Sequence, residues 1–399
     1  MSKIIYTLTS FMFIIFLSAC SSLNAGVTQA KSSNQKSFAA EDVYIIFALR
    51  AEELRDNQAA LKFFDILYKK SGKKEYLYKA LAHQIVLKQY QQVLQRISKV
   101  STDSSDDLKL TRLKAIALYQ LKKYKLALKY FEIIYGKTYD EKILDKISVL
   151  LFVNFHQQEE AIAKLETHSR MRGCSEIICK RLISFYASAN DIDGILSTYL
   201  RMYAKNKDEL VAKKILQIYA YQKEYQPMIA FLEKYEIEPE TLLEIYGVTK
   251  EYAKAYKLAA KLYKSSGNIN YLGQSAVFEY ESTSKKNDTK VLQSVVQKLE
   301  TVVEKTKNPL YENYFGYVLI DHEIDVKKGM AYIQNALQAK PDSGYYLDSL
   351  AWGYYKLHQC EKAKKIMDRV VTLEGGNDPE VINHVQIIDK CLNLKKVKN

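Results

Sequence analysis

A period of 33 to 34 residues constrains this chain more than any other feature. Ala60 (in DNQAAL), Val93 (QYQQVL), Ala127 (KYKLAL), Ala161 (QQEEAI), Ile195 (DIDGIL) and Met228 (EYQPMI) occupy one local pattern, at steps of 33, 34, 34, 34 and 33 residues. Ala255 (EYAKAY) follows after a shortened step of 27, residues 269–307 are irregular, and Gly329 and Ala363 resume at a spacing of 34. Such self-similarity marks a unit that buries its apolar face only by stacking on copies of itself. With 5 prolines and 14 glycines in 399 residues there are few places to break helices or build tight strand turns. That excludes a sandwich, a barrel or collagen and makes the unit helical.

Twelve residues before three of these positions stands a second alanine: Ala48 before Ala60, Ala115 before Ala127 and Ala351 before Ala363. Small residues facing each other let two helix axes approach closely at a crossing. Four residues after the small position comes a large apolar one (Phe64, Ile97, Phe131, Leu165, Tyr199, Leu232, Ile333, Met367), on the same helix face and directed at the next unit. The pattern resembles the tetratricopeptide repeat. It predicts an all-α tetratricopeptide-repeat superhelix, an α-solenoid of about ten helix pairs over 41–377, with a capping helix and basic tail over 378–399. Asp378 is placed to cap that last helix, with Pro379 at its first position, and the helix should pack antiparallel on the helix before it.

The N-terminus reads as an address. Lys3 precedes an apolar run, Ile4–Leu17, too short for a membrane span of ~20 residues but right for a secretory signal. Leu17-Ser18-Ala19-Cys20 resembles the lipobox of bacterial lipoproteins. That resemblance implies removal of residues 1–19, acylation of Cys20, and a lipid-anchored protein of the bacterial cell envelope, on the outer membrane facing the periplasm by the Ser21 pattern of enteric bacteria. Residues 20–40 then form the lipidated cysteine and a small, polar tether. An exported protein does not meet nucleic acid, so the charge of +13 is read as a solvated lysine-rich surface.

Four cysteines remain beside Cys20. Cys360 and Cys391 should be neighbours if the last helix packs on the one before it, while Cys174 and Cys179 flank one turn. Each pair is a candidate disulfide or two buried thiols. Neither has zinc-ligand spacing, so no metal is expected. The six histidines are scattered and read as surface or turn residues, His156 and His358 falling at turns between helices. No P-loop, GxSxG, HExxH or dinucleotide fingerprint occurs, which predicts no enzyme, cofactor or small-molecule substrate.

Protein partners would meet the first helices of the pairs. The candidates are Asn313, Tyr317 and Asp321 in one pair and Tyr345, Asp348, Trp352, Tyr355 and Lys356 in the next, where rings offer area and charges fix direction. The alternative is that Trp352, the only tryptophan, packs between repeats. The stretches NYFGYVLID (313–321) and ALQAKPDSGYYLDSLAWGYYKLHQCEKA (336–363) resemble the C-terminal repeats of periplasmic tetratricopeptide lipoproteins that act as adaptors of carboxyl-terminal processing proteases. The match rests on Asn313, Gly316, Tyr317, Leu319 and Asp321, and on Pro341, Asp342, Asp348, Ser349, Leu350, Trp352 and Tyr355; Ala351 stands where that family has glycine. The resemblance implies a tethered adaptor holding a serine protease and its cell-wall hydrolase substrates. The competing expectation is a structural scaffold lipoprotein for outer-membrane protein, pilus or flagellar-motor assembly.

Overall fold

The computed structural model describes residues 37–100 and 107–398, with side chains to Asn393. The residues read as a signal sequence, Cys20 and the part of the expected tether up to residue 36 lie outside the described residues. Within them the chain is all-α, with no strand. It divides into two compact units, Met1–Ala189 and Asn190–Asn399. The first holds α1 (Glu41–Glu53), α2 (Asn57–Ser71), α3 (Lys74–Val86), α4 (Tyr90–Val100), α5 (Leu108–Gln120), α6 (Tyr124–Thr138), α7 (Glu141–Val149), α8 (Gln158–Arg172) and α9 (Glu176–Ser188). A π-helical turn, Leu150–Asn154, prolongs α7.

The second unit holds α10 (Ile192–Asn206), α11 (Glu209–Gln222), α12 (Tyr225–Tyr235), α13 (Pro239–Val248), α14 (Tyr252–Ser266), α15 (Ile269–Ser282) and α16 (Thr289–Thr306). It continues through α17 (Pro309–Asp321), α18 (Val326–Ala339), α19 (Gly344–Lys356), α20 (Cys360–Val370) and α21 (Pro379–Lys398). First and second helices of the repeat therefore alternate ten times along the chain before the final helix, as the period predicts.

The turns explain why the hairpins form. All but the α15–α16 pair close through one left-handed residue, among them Arg55, Lys88, Lys122, His156, Lys223, Lys250, Glu323 and His358, with φ between 52° and 60°. An N–H one or two residues later then bonds back to the helix just ended, as in Asp56 to the Ala51 carbonyl (2.9 Å), Lys123 to Leu118 (2.9 Å) and Gln359 to Tyr354 (2.9 Å). This closure satisfies carbonyls that a helix end leaves open. His156 and His358 are turn residues, as expected.

The expected core is present. Ala48, Ala60, Val93, Ala115, Ala127, Ala161, Ala255, Ala351 and Ala363 are fully buried, and so are Phe131, Leu165, Leu232 and Ile333. Ile195 and Tyr199, on the helix that opens the second unit, are only half-buried. The irregular stretch is a helix pair too. Its second helix has 18 residues and buries Val295 and Leu299 in place of an alanine and its apolar follower.

A close crossing joins α17 to α18. A Cβ on Gly316 would stand 2.6 Å from the Gly329 carbonyl oxygen, and one on Gly329 would stand 2.6 Å from that of Gly316. This is why Gly316 and Gly329 replace the alanines used elsewhere.

Candidate functional site

Three helices of the second unit bring most of the sequence candidates together. On α17, successive turns carry Asn313, Tyr317 and Asp321; on α19 they carry Tyr345, Asp348, Trp352 and the adjacent Tyr355 and Lys356. Asp321 is the junction. Its carboxylate accepts from the Trp352 indole Nε1 at 3.0 Å, and its backbone carbonyl accepts from Lys356 Nζ at 2.9 Å. Lys356 also pairs with Glu323 at 3.0 Å. Trp352 is 7% exposed and stacks on Tyr355 with centroids 4.7 Å apart.

The sequence reading expects α21 to pack on α20. It does so, and it also lies on α19. Its inward face, Val381, His384 and Ile388, is buried. His384, 3% exposed, also stacks on Trp352, at 4.0 Å, and directs Nδ1 at both Asp348 oxygens, 3.0 and 3.1 Å away. One turn earlier, Glu380 accepts a short hydrogen bond from the Tyr317 hydroxyl on α17. The face offered by α19 and α20, with Tyr317 of α17 beside it, is thus occupied by the chain's own last helix, with an acid, an imidazole and an aliphatic residue on successive turns.

Two candidates stand apart from this group. Tyr345 is 54% exposed, its ring lying beside Gly375 in the segment before α21. Asn313 is half-buried, and its Oδ1 has no hydrogen-bond partner.

Burial and neighbouring carboxylates set the protonation of the tyrosines. Tyr317 is pushed far above the usual phenol range by burial, then by its bond to Glu380 and the charge of Asp321. Tyr314 rises through burial and Glu281, whose carboxylate its hydroxyl reaches at 2.5 Å. Tyr280, donating to or accepting from His322 Nε2 at 2.9 Å, rises through burial and the charges of Asp321, Glu281 and Glu380. Burial lowers the His322 imidazole, helped by Lys356 and Lys286 and opposed by Asp321. These phenols are hydrogen-bond donors at any physiological pH, suited to holding carboxylates.

The histidine expectation needs correction. His83, His168 and His384 are buried, and each is hydrogen-bonded: His83 to Asn57 and Glu52 at 2.9 and 3.0 Å, His168 to Tyr135 and Glu141 at 2.8 and 3.3 Å. A flat ring with a polar atom at each end fits between helices when both atoms find partners. His384 and Glu380 are the site residues that sequence reasoning missed. The available signal was their spacing of four with Val381 and Ile388 on the same face.

Cys360 and Cys391 are paired between α20 and α21 with Cα atoms 6.0 Å apart, and Cys174 pairs with Cys179 at 5.4 Å. Both separations suit disulfides. Among the described residues no group of His, Cys, Asp or Glu is arranged to hold a metal ion, and no helix is long and apolar enough to cross a membrane.

No protein-family model matches the chain, and no curated protein matches it. Solved structures overlap it shallowly. Naa15/Naa10 bound to HypK-THB overlaps at 10% identity and a TM-score of 0.35, over 86% of this chain, which spans 65% of that one. The TPR2AB domain of yeast Sti1 in its pHSP90 complex matches at 12% identity and 0.25, over 71% of this chain and 99% of that one. YrrB, a TPR protein with an unusual peptide-binding site, matches at 12% and 0.30, over 56% and 97%. The fold assignment rests on the helix pairs of this chain itself.

Proposed function

We propose that this chain is a non-catalytic protein-binding lipoprotein of the bacterial envelope, an adaptor that holds a carboxyl-terminal processing protease and its cell-wall hydrolase substrates. Cys20 would carry the lipid anchor. The observation behind the reading is convergence. Residues matched in two separate stretches, Asp321 from the first and Asp348 and Trp352 from the second, meet in one hydrogen-bonded and stacked group on neighbouring helices. Aromatic rings beside carboxylates and a lysine are the chemistry that anchors a peptide or helix.

The mechanism needs no bond-making by this chain. Two partners confined to one membrane face by short tethers see each other at an effective concentration of roughly millimolar, so modest contacts suffice. The test is capture from envelope extracts on the full-length protein, with bound proteins identified by mass spectrometry. Recovery of a processing protease together with cell-wall hydrolases is the expected result. Recovery of outer-membrane, pilus or motor assembly components without a protease overturns the adaptor and favours the scaffold.

A further inference from the structure

We infer that the face formed by α19 and α20, with Tyr317 of α17 at its edge, is a groove for an amphipathic helix, that α21 is its internal stand-in, and that the Cys360–Cys391 disulfide locks the groove shut. The inference rests on the reading of that face as the binding site. It starts from what the groove recognises. Tyr317 donates to the carboxylate of Glu380; Asp348 accepts from a planar N–H donor, His384, that is stacked on Trp352; and Val381 and Ile388 pack with Leu347 of α19 and with Met367 and Val370 of α20. Those four residues lie on one face of α21, at i, i+1, i+4 and i+8. A cover whose task is only to shield apolar surface needs no buried acid–imidazole pair. Such pairs add little net stability and serve register and partner choice.

The partner this chemistry fits is a protein helix with an acid, a planar donor (imidazole or guanidinium) four residues on, and an aliphatic residue four further. A guanidinium offers the same stacking and the same donation to Asp348 as the imidazole.

The lock follows from connectivity. Before α21 runs a segment with Gly375, at φ +86°, and Gly376, and this ties the helix at its start. Cys391, twelve residues after Pro379, ties its far part to Cys360 at the start of α20. With both ties α21 cannot leave. A dithiol reductant opens one: its thiolate attacks one sulfur of the bond, its second thiol resolves the mixed disulfide, and two electrons and two protons pass to Cys360 and Cys391 as the reductant becomes a disulfide. Packing, the Tyr317–Glu380 and His384–Asp348 hydrogen bonds and the Lys364–Asp389 ion pair (3.0 Å) then hold α21 without the covalent tie.

The experiment uses the full chain in a Cys174→Ser/Cys179→Ser background, oxidised or treated with dithiothreitol. Loss of a closure spanning 31 residues should raise hydrogen exchange in α21 by ~10²-fold, with α17 and α19 unchanged. Trp352 should become open to acrylamide quenching in step. A labelled peptide copying residues 378–393 and carrying Cys391→Ser should bind the reduced chain and not the oxidised one. In the peptide, Glu380→Gln or His384→Ala should each weaken binding about tenfold. Unchanged exchange and unchanged Trp352 shielding on reduction overturn the lock, and a peptide that binds neither form, or both equally, overturns the groove. The full-chain Cys360→Ser/Cys391→Ser variant repeats the exchange and quenching measurements without reductant. Protease capture that is independent of redox state, while α21 opens as expected, would remove the protease from this face and leave the groove standing.

Discussion

The first and last helix pairs solve the same problem in opposite ways. Each must end a stack, where the outward face has no further repeat to cover it. At the C-terminal end α21 covers that face with Val381, His384 and Ile388, and a buried carboxylate, Asp348, holds it through His384. At the N-terminal end a buried carboxylate does a related task. Glu41, 2% exposed, accepts from Lys73 (2.8 Å), the Tyr76 hydroxyl (2.7 Å) and the Ser37 N–H (2.6 Å), tying α1 to α3. Yet Val43, Ile46, Phe47 and Leu54 of that end stay about half exposed, Phe47 with one side of its ring against Phe63. A buried carboxylate ties each end pair to a neighbouring helix, and among the described residues apolar cover is supplied at only one end.

The largest effect expected from this contrast is at Trp352. Replacing it with alanine removes a buried ring and leaves the Asp321 carboxylate without its indole donor, which should cost ~3–5 kcal/mol of unfolding free energy in the second unit. Chemical denaturation followed by circular dichroism measures it. A loss under ~1 kcal/mol would mean that the C-terminal cover is not a packed structure.

Glycines give the next test. Gly316→Ala forces a methyl group against the Gly329 carbonyl and the Ile333 side chain, both 2.6 Å from the new atom, and should cost ~1–3 kcal/mol. Gly136→Ala in α6 meets nothing within 4 Å, so relief of helix entropy should stabilise the first unit by ~0.5–1 kcal/mol. The same substitution with opposite signs separates a crossing that needs glycine from a helix that tolerates it.

These positions also show what was legible in the sequence. The period was legible because close helix crossings admit only small residues, and Ala48, Ala60, Ala115, Ala127, Ala351 and Ala363 are all fully buried. It failed over 269–307 because α16 starts after a longer connection, Thr283 to Asp288, and puts Val295 at the crossing. The division after Ala189 is invisible to the period, since the step from Ala161 to Ile195 is an ordinary 34. At the site, Asp321, Asp348 and Trp352 were legible as an aromatic and acidic group. Their cover was not. Glu380 and His384 read as surface residues of a terminal helix until the direction in which α21 crosses α19 is known, and that direction is set by contacts far away in sequence.

A smaller, pH-dependent effect distinguishes the N-terminal end. The Lys73 and Tyr76 side chains and the Ser37 N–H bond to Glu41 and lower its pKa from 4.5 to about 2, burial opposing them. A carboxylate with a depressed folded-state pKa stabilises above its unfolded value and loses that contribution as pH falls through the folded one. Hydrogen-exchange protection of α1 and α3, relative to the intrinsic rate at each pH, should therefore fall between about pH 4.5 and pH 2, and Glu41→Gln should remove that acid dependence. Persistence of the same acid response in the variant would assign it to other carboxylates and break the parallel between Glu41 and Asp348.

The smallest effect is expected at Ile46, and it decides how far the contrast holds. The side chain is 63% exposed on α1, so Ile46→Lys removes little buried area and should leave stability within ~0.5 kcal/mol. The same exchange at Ile388, fully buried under α21, would put a charge against the floor of the C-terminal cover and unfold or release that helix. If Ile46→Lys in the full chain instead costs more than ~1 kcal/mol, Ile46 is shielded beyond its exposure among the described residues. The contrast in apolar cover between the two ends would then fall, and the difference between them would lie in the disulfide that fastens α21.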